Sequence, residues 1–161
     1  MSTFRANLGN DRYVEVTEWK GETRIDLREW VDGKPTRKGI SLTMMRWKKW
    51  TDSTEEVDQA QTDKRAYQSH IGGNVYCTVT EGSGCVDIRQ YWKPEEDLIP
   101  TKKGLCLRPL EYTRLKECLF DIGQALPHLS AVVPCYLQSD HMNQWGMLQC
   151  QECNPNDYMN W

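Results

Sequence analysis

Apolar and polar residues alternate along several short segments, and glycine or proline separates these segments from one another. In 12–18, Val14 and Val16 alternate with polar residues, and the same alternation returns in 25–30. A period of two is typical of β-strands that bury one face, and the intervening Gly and Pro are typical of turns. The pattern therefore predicts antiparallel strands joined by hairpins.

Residues with helical spacing follow each set of strands. In the second half, Pro109 suits the first turn of a helix, and apolar residues then recur at steps of three and four. That stripe consists of Tyr112, Leu115, Leu119, Ile122 and Leu126. In the first half, Thr43 suits an N-cap, and Trp47, Trp50 and Val57 share one face of the helix that follows. Each half thus predicts a small, about four-stranded antiparallel β-sheet followed by one α-helix, an α+β fold.

The two halves of the chain repeat each other. Three blocks of the first half have counterparts in the second, in the same order and at nearly constant spacing. The counterparts are 12–18 and 75–81, 25–30 and 86–91, and 35–42 and 100–107. The small changes of spacing fall between blocks, where hairpin loops tolerate insertion. The sequence therefore predicts two tandem units, 4–68 and 69–127, followed by a tail, 128–161.

The composition is that of a globular protein, because 39% of the 161 residues are hydrophobic and 27% are charged. The longest nearly apolar stretch, 131–137, contains a proline and is far shorter than the roughly 20 residues of a membrane-spanning helix. No basic and then apolar leader opens the chain, so we expect the seven cysteines to remain thiols or to bind metal. The net charge of −3 argues against a generic nucleic-acid coat. The lysines and arginines are, however, concentrated in the N-terminal third.

Three features of the first unit occur in an order that identifies a family. They are Ile25 to Glu29, then Lys34 to Leu42, then a helix that carries tryptophan. In this order the unit resembles the C-terminal domain of the transcriptional coactivator family called positive cofactor 4. The second unit resembles it more loosely, and together the two copies extend from Phe4 to Leu126.

The resemblance implies a four-stranded sheet with one helix that pairs with a second copy and binds single-stranded or unwound DNA across its sheets. Two copies in one chain imply an intramolecular pseudo-dimer within a monomer, because a short linker raises the effective concentration of one half for the other. The resemblance also implies a transcriptional coactivator in the nucleus. Its expected partners are single-stranded DNA or RNA and proteins of the transcription machinery.

Binding of single strands without sequence preference needs cations for the phosphates and aromatic faces for the bases. Trp19-Lys20-Gly21 matches the family's contact hairpin, so Trp19 is the expected stacking residue and Lys20 a phosphate contact. The other candidates in the first unit are Arg12, Arg28, Trp30, Lys34, Arg37 and Lys38, and those in the second are Arg89, Trp92, Lys102 and Lys103. We expect Trp47 and Trp50 to be core or interface residues instead.

The second unit departs from the pattern. Gly82 to Cys85 offers neither an aromatic ring nor a cation where the first unit has Trp19 and Lys20, and Val75 stands where the first unit has Arg12. We therefore expect asymmetric binding, with the second unit acting mainly as the pairing partner.

The two central tryptophans are not equivalent by simple alternation. A period of two places Trp30 on the same face as Arg28 but Trp92 on the face opposite Arg89. Both can serve alike only if a bulge or a strand end intervenes.

The tail contains residues that suit zinc. Cys150 and Cys153 form a Cys-x-x-Cys pair, and Cys135 and His141 could complete a tetrahedral site. The alternatives are an aromatic strap laid on the tandem units or a protein-binding element. No cofactor is otherwise expected.

No catalytic triad, phosphate loop or dinucleotide fingerprint is found, so we do not expect an enzyme. The main hypothesis is a transcriptional regulator that binds single-stranded DNA. The alternative is a protein-interaction scaffold in transcription that keeps the fold and has weak or no DNA binding. The residues that decide between them are Trp19, Lys20, Lys34, Arg37 and Lys38.

Overall fold

Two consecutive antiparallel sheets, each followed by two helices, make up the computed structural model, which describes residues 2–126, 150 and 152–153. The first repeat contains β1 (Ser2–Gly9), β2 (Arg12–Trp19), β3 (Glu22–Val31), β4 (Lys34–Thr43), α1 (Met44–Asp52) and α2 (Thr54–Asp63). The second repeat contains β5 (Tyr67–Gly72), β6 (Val75–Val79), β7 (Val86–Trp92), β8 (Ile99–Leu107), α3 (Pro109–Glu117) and α4 (Leu119–Ala125). In both sheets, neighbouring strands are consecutive in the chain. The predicted α+β fold of two tandem units is confirmed.

Two-residue turns join the strands of the first sheet. Lys20 and Gly21, between β2 and β3, have φ angles of 51° and 78°, and Trp19 pairs with Glu22 across the turn. Two consecutive residues with positive φ are typical of the type I′ turn, whose twist matches that of the strands it joins. This geometry carries Trp19 and Lys20 to the tip of a hairpin.

The helical segment of each repeat is divided in two, whereas the sequence predicts one helix per repeat. In the first repeat the division falls at Ser53, with φ −100° and ψ 2°. The side-chain hydroxyls of Thr51, Ser53 and Thr54 each donate to a carbonyl three residues earlier, at 2.8 Å. Such local bonds compete with the helix's own backbone bonds and bend or end it. In the second repeat the division falls at Cys118, with φ −86° and ψ −6°.

One hydrophobic core runs through both repeats. Trp47 and Trp50 are buried as predicted, and the ring of Trp50 meets that of Tyr112 of the second repeat edge to face, with centroids 6.2 Å apart. The inner faces of both sheets supply the aliphatic remainder of this core. Each repeat therefore buries its apolar surface partly against the other.

The helices of each repeat also pack on the other repeat. Helix α1 contacts β5 of the second repeat, α3 and α4 contact β1 of the first, and β4 contacts β8. The hydroxyl of Tyr112 and the Nζ of Lys116 donate to Asp58 on α2, at 2.8 and 3.0 Å. The two halves thus form the pseudo-dimer that the tandem sequence predicts.

The connection between the repeats comprises residues 64–66, since α2 ends at Asp63 and β5 begins at Tyr67, ahead of the predicted start at residue 69. Of the predicted tail, the structure describes Cys150, Glu152 and Cys153. None of the helices in the described ranges is long and apolar enough to cross a membrane.

Candidate nucleic-acid interface

Strand alternation gives the first sheet an inner face on the core and an outer face away from it. On the outer face, the guanidinium carbon of Arg5 lies 4.2 Å from the ring centroid of Tyr13 and 4.3 Å from that of Trp30. The two rings meet edge to face at 6.2 Å. Arg5 was not a sequence candidate, although its alternation with Phe4 and Ala6 places it on this face. The outer face therefore offers a cation and aromatic rings together.

Trp19 and Lys20 form an exposed tip at one end of the first sheet. Trp19 is 70% exposed, and the Lys20 Nζ lies 4.5 Å from its ring centroid. An exposed tryptophan ring beside a cation is well suited to stacking on an unpaired base next to its phosphate.

Arg28 and Arg89 occupy equivalent positions at the centre of the two outer faces. Arg28 donates to both carboxylate oxygens of Asp26 and, through Nη1, to the carbonyl of Thr36 at 2.8 Å. Arg89 makes the same bonds to Asp87 and Thr101. Both guanidinium groups are thus held flat on the sheet, with much of their charge neutralised.

Glycine allows this arrangement. A Cβ at Gly39 would lie 2.8 Å from the Cβ of Arg28, and a Cβ at Gly104 would lie 2.7 Å from that of Arg89. Each arginine therefore crosses a strand position where no side chain fits.

The remaining cations lie in β4 and β8. Lys34, Arg37 and Lys38 are exposed, as are Lys102 and Lys103. Among the described residues, none of these five side chains forms an ion pair. Arg37 and Lys38 lie where β4 has two extra residues opposite β3, because Arg28 pairs with Gly39 but Trp30 pairs with Pro35. The bulge turns their charges out from the sheet edge.

Strand pairing shows which residue of the second sheet is equivalent to Trp30 and which residue of the first sheet is equivalent to Trp92. In the second sheet Tyr91 pairs with Pro100 and Trp92 with Ile99, so Trp30 is equivalent to Tyr91, and Trp92 to Val31. Tyr91 meets Tyr76 edge to face at 5.2 Å. Trp92 is 60% exposed beyond this pair. The two tryptophans therefore occupy different positions, and the intervening bulge does not make them alike.

The first-repeat candidates do not form one cluster. Trp19 and Lys20 lie at the start of β3, and Lys34 lies beyond its far end. At about 3.3 Å per residue, the ten residues of β3 separate these ends by about 30 Å. Arg28 and the Arg5 group lie between them. The candidate interface is therefore a track along the outer face, from Trp19 to Lys34.

The equivalent hairpin of the second repeat has a different use. The Gly82 N–H donates to the Lys64 carbonyl at 3.2 Å, and the Gln61 Nε2 donates to the Gly84 carbonyl at 2.8 Å. This hairpin therefore lies against the end of α2 and presents neither an aromatic ring nor a cation.

The structure places Arg12 in the contact between the repeats. It lies on the inner face of β2, and its Nη1 donates to Glu111 Oε1 at 2.9 Å and to the Cys106 carbonyl. Asn10 Nδ2 donates to the other carboxylate oxygen at 2.5 Å. Burial alone would raise the pKa of Glu111, but bonds from Asn10 and the Arg108 N–H, with the charge of Arg12, lower it below 4.5.

The predicted zinc site is only partly within the described residues. Cys150 and Cys153 are described, but Cys135 and His141 lie outside. Among the residues that the structure describes, no group of three or more side chains is arranged to hold a metal ion. The zinc site stays a prediction.

A family model matches both repeats. It is described as Transcriptional Coactivator p15 (PC4), and it matches residues 6–52 and 69–118, which together exceed half of the chain. No solved structure gives a significant match.

Two curated relatives are RNA polymerase II transcriptional coactivators. The chain is 38% identical over 61 residues to the coactivator KIWI of Arabidopsis thaliana, a match that covers 35% of this chain and 57% of the relative. It is 42% identical over 53 residues to a coactivator of Drosophila melanogaster, covering 30% and 48%. The chain spans about half the length of the curated relatives it matches.

Proposed function

Since the chain belongs to the Transcriptional Coactivator p15 (PC4) family, we propose that it is a nuclear transcriptional coactivator that binds single-stranded DNA along the outer face of its first repeat. The relatives are named as RNA polymerase II coactivators, which indicates this role rather than an enzymatic one. The partners it would serve belong to the transcription machinery.

The observation that carries the proposal is the exposed tip of Trp19 and Lys20 at one end of a track of cations. An unpaired base stacks on an exposed aromatic ring with about 1–3 kcal/mol per base, whatever its identity. Arg37 and Lys38, which have no ion pair among the described residues, would contact phosphates further along. Arg28, already bonded to Asp26, would add less.

The proposed track would favour a single strand over a duplex. Bases must leave their stack to lie on Trp19, and a duplex would have to break pairs to supply them. A strand that follows β3 would cover about 30 Å from Trp19 to Lys34. We therefore expect affinity to rise with oligonucleotide length until both ends are reached.

The second repeat would contribute less. Its hairpin lies against α2, and Gln68, at the position of Arg5, bonds Thr78 instead of covering an aromatic pair. Lys102 and Lys103 remain as phosphate contacts. Binding would therefore be centred on one half of the pseudo-dimer.

Fluorescence-anisotropy titrations with labelled oligonucleotides test the proposal. The double variant Trp19→Ala/Lys38→Ala should bind a single strand at least tenfold more weakly, which corresponds to about 1.4 kcal/mol. The matched control is Trp92→Ala/Lys103→Ala, which removes an exposed tryptophan and the equivalent lysine from the second repeat and should have a smaller effect. Equal losses, or unchanged affinity in the first variant, would contradict the proposed track.

Salt and strand controls separate specific stacking from general charge attraction. Affinity should fall as salt rises, because phosphate neutralisation releases counterions. The fluorescence of Trp19 should be quenched by a single strand and much less by its duplex. An RNA strand of the same sequence shows whether the sugar is distinguished.

A protein-interaction scaffold is the second candidate, and exposed apolar residues on the second-repeat helices favour it. Leu110 is 61% exposed and Phe120 is 74% exposed. Single exposed apolar residues are common on monomers, so this observation is weaker than the Trp19 track. Absence of nucleic-acid binding at moderate salt would select the scaffold.

A further inference from the structure

The helices of each repeat begin against the first hairpin of the other, and this contact occurs twice. Residues Gly9 and Arg12 close the β1–β2 hairpin, as Gly72 and Val75 close the β5–β6 hairpin. Asn10 is therefore equivalent to Gly73, and Arg12 to Val75. In the helices, Arg46 and Glu111 both occupy the third position after the N-cap. The same three positions thus meet twice, with different residues.

In the first contact, the carboxylate of Glu111 on α3 accepts hydrogen bonds from side chains of the β1–β2 hairpin. Glu111 is 1% exposed, and it accepts from Asn10 Nδ2 at 2.5 Å and from Arg12 Nη1 at 2.9 Å. The Arg12 side chain is 15% exposed. A buried charge of this kind is tolerated only when a partner and hydrogen bonds satisfy it.

In the second contact, Arg46 of α1 lies against the β5–β6 hairpin, which has Gly73 and Val75 in place of Asn10 and Arg12. The Arg46 guanidinium lies over Gly73, and a Cβ at Gly73 would overlap it. Arg46 Nη2 and Nε donate to the Glu152 carboxylate at 2.7 and 3.0 Å, and the Glu152 carbonyl accepts from the Gly73 N–H at 2.9 Å. Val75 is buried and uncharged.

Pairing of like repeats would mismatch both contacts. If a first repeat met a second copy of itself, Arg46 would approach Arg12, with Asn10 filling the space that Gly73 leaves open. If a second repeat met a copy of itself, Glu111 would lie against Gly73 and Val75 and lose the donors Asn10 and Arg12, keeping the Arg108 N–H of its own repeat. Like charges and unsatisfied buried carboxylates both strongly disfavour an interface.

We propose that Asn10, Arg12 and Glu111, together with Gly73 and Arg46, form a pairing code that lets the first repeat pair only with a second repeat. The surface of the first repeat selects a partner with an acid at the third helical position. The code therefore rejects like-with-like pairing of two copies, and the short connection at 64–66 favours first-with-second pairing within one chain. Specificity of this kind needs an unfavourable element against the wrong partner as well as a favourable one for the right partner.

The code can be tested in the full chain by giving the first contact the residues of the second contact. Glu111→Arg places a base against Arg12, and Asn10→Gly/Arg12→Val removes the two donors of the first repeat and leaves Glu111 with the Arg108 N–H of its own repeat. Each variant should therefore lose about 1 M or more in urea midpoint.

The triple variant recreates the Gly, Val and Arg combination of the second contact, in which the Glu152 carboxylate also pairs with Arg46. In the first contact Glu29, which lies 3.7 Å from the Arg12 Nε, would supply the carboxylate for the introduced arginine. The triple variant should therefore be more stable than either parent, although every substitution removes a native group.

Mixing the two destabilised chains gives a second readout. The first repeat of the Asn10→Gly/Arg12→Val chain matches the second repeat of the Glu111→Arg chain, and the reverse pair has the native residues. An equimolar mixture should therefore form a one-to-one dimer by exchanged pairing, detected by multi-angle light scattering and native mass spectrometry. The wild-type chain and each variant alone should not form this species.

The control exchanges charges at the exposed contact between the repeats. Asp58 and Lys116 form an ion pair at 3.0 Å whose side chains are 43% and 31% exposed. A mixture of Asp58→Lys and Lys116→Asp chains should remain monomeric. The code is refuted if the triple variant is no more stable than its parents, or if the control mixture dimerises as readily as the test mixture.

Discussion

Replacing Trp50 by alanine would test whether the two repeats share one core. Trp50 is fully buried and lies between Trp47, with ring centroids 5.1 Å apart, and Tyr112 of the second repeat, at 6.2 Å. Removal of a buried tryptophan side chain costs about 3–5 kcal/mol. That cost is a large part of the about 5–15 kcal/mol by which domains are usually stable.

Urea unfolding followed by far-UV circular dichroism would measure the change. With a slope of about 2 kcal/mol per M, Trp50→Ala should lower the urea midpoint by about 2 M. The matched control is Trp19→Ala, because Trp19 is 70% exposed and its loss should change stability by only about 0.5 kcal/mol.

Hydrogen exchange would locate the loss. If the core is shared, Trp50→Ala should reduce the protection of the amides in β6 and β7 as much as that in β2 and β3, because both sheets unfold together. The reasoning is refuted if the second sheet keeps its wild-type protection while the first loses it. That result would mean that each repeat has an independent core.

For two further substitutions, the structure predicts the direction in which stability changes. Gly39→Ala places a Cβ 2.8 Å from that of Arg28, so the urea midpoint should fall by an amount equivalent to about 1–3 kcal/mol; a wild-type midpoint would show that the strands can separate at no cost. Burial, and then the charge of Lys49, lowers the pKa of His70 from 6.5 to about 4, so the unfolded chain takes up the proton first and stability falls between pH 6.5 and 4. His70→Asn, which introduces the residue found at the equivalent Asn7, should flatten this part of the stability profile, and an unchanged slope would assign it to other groups.

The strands and most of the core were predictable because they depend on short-range periodicity. Alternation around Val14 and Val16 and the helical spacing of Trp47 and Trp50 report directly which side is buried. The hairpin turn at Lys20 also follows from local residue types. Because these features involve residues that are close in the chain, they can be recognised from the sequence.

The features that were not predictable depend on contacts between residues distant in the chain, or on side chains that compete locally with backbone hydrogen bonds. Arg12 and Glu111 are 99 residues apart, and no spacing rule joins them. Alternation places Trp30 and Trp92 on opposite faces, as the structure does, but it does not reveal the two extra residues of β4 beside Arg37 and Lys38. The break at Ser53 depends on hydroxyl groups bonding to nearby carbonyls instead of water, which the apolar stripe does not reveal.

The packing of α3 and α4 on β1 also has a consequence for how the protein is made. Strand β1 leaves the ribosome before the other described elements, but α3 and α4, which cover it, are the last described helices to be synthesised. Contacts between residues so distant in sequence form late, since a long loop must close before they are gained. The first sheet must therefore wait with its apolar face partly uncovered until α3 and α4 have been translated. A chain truncated before α3 would expose this surface to chaperones and to aggregation.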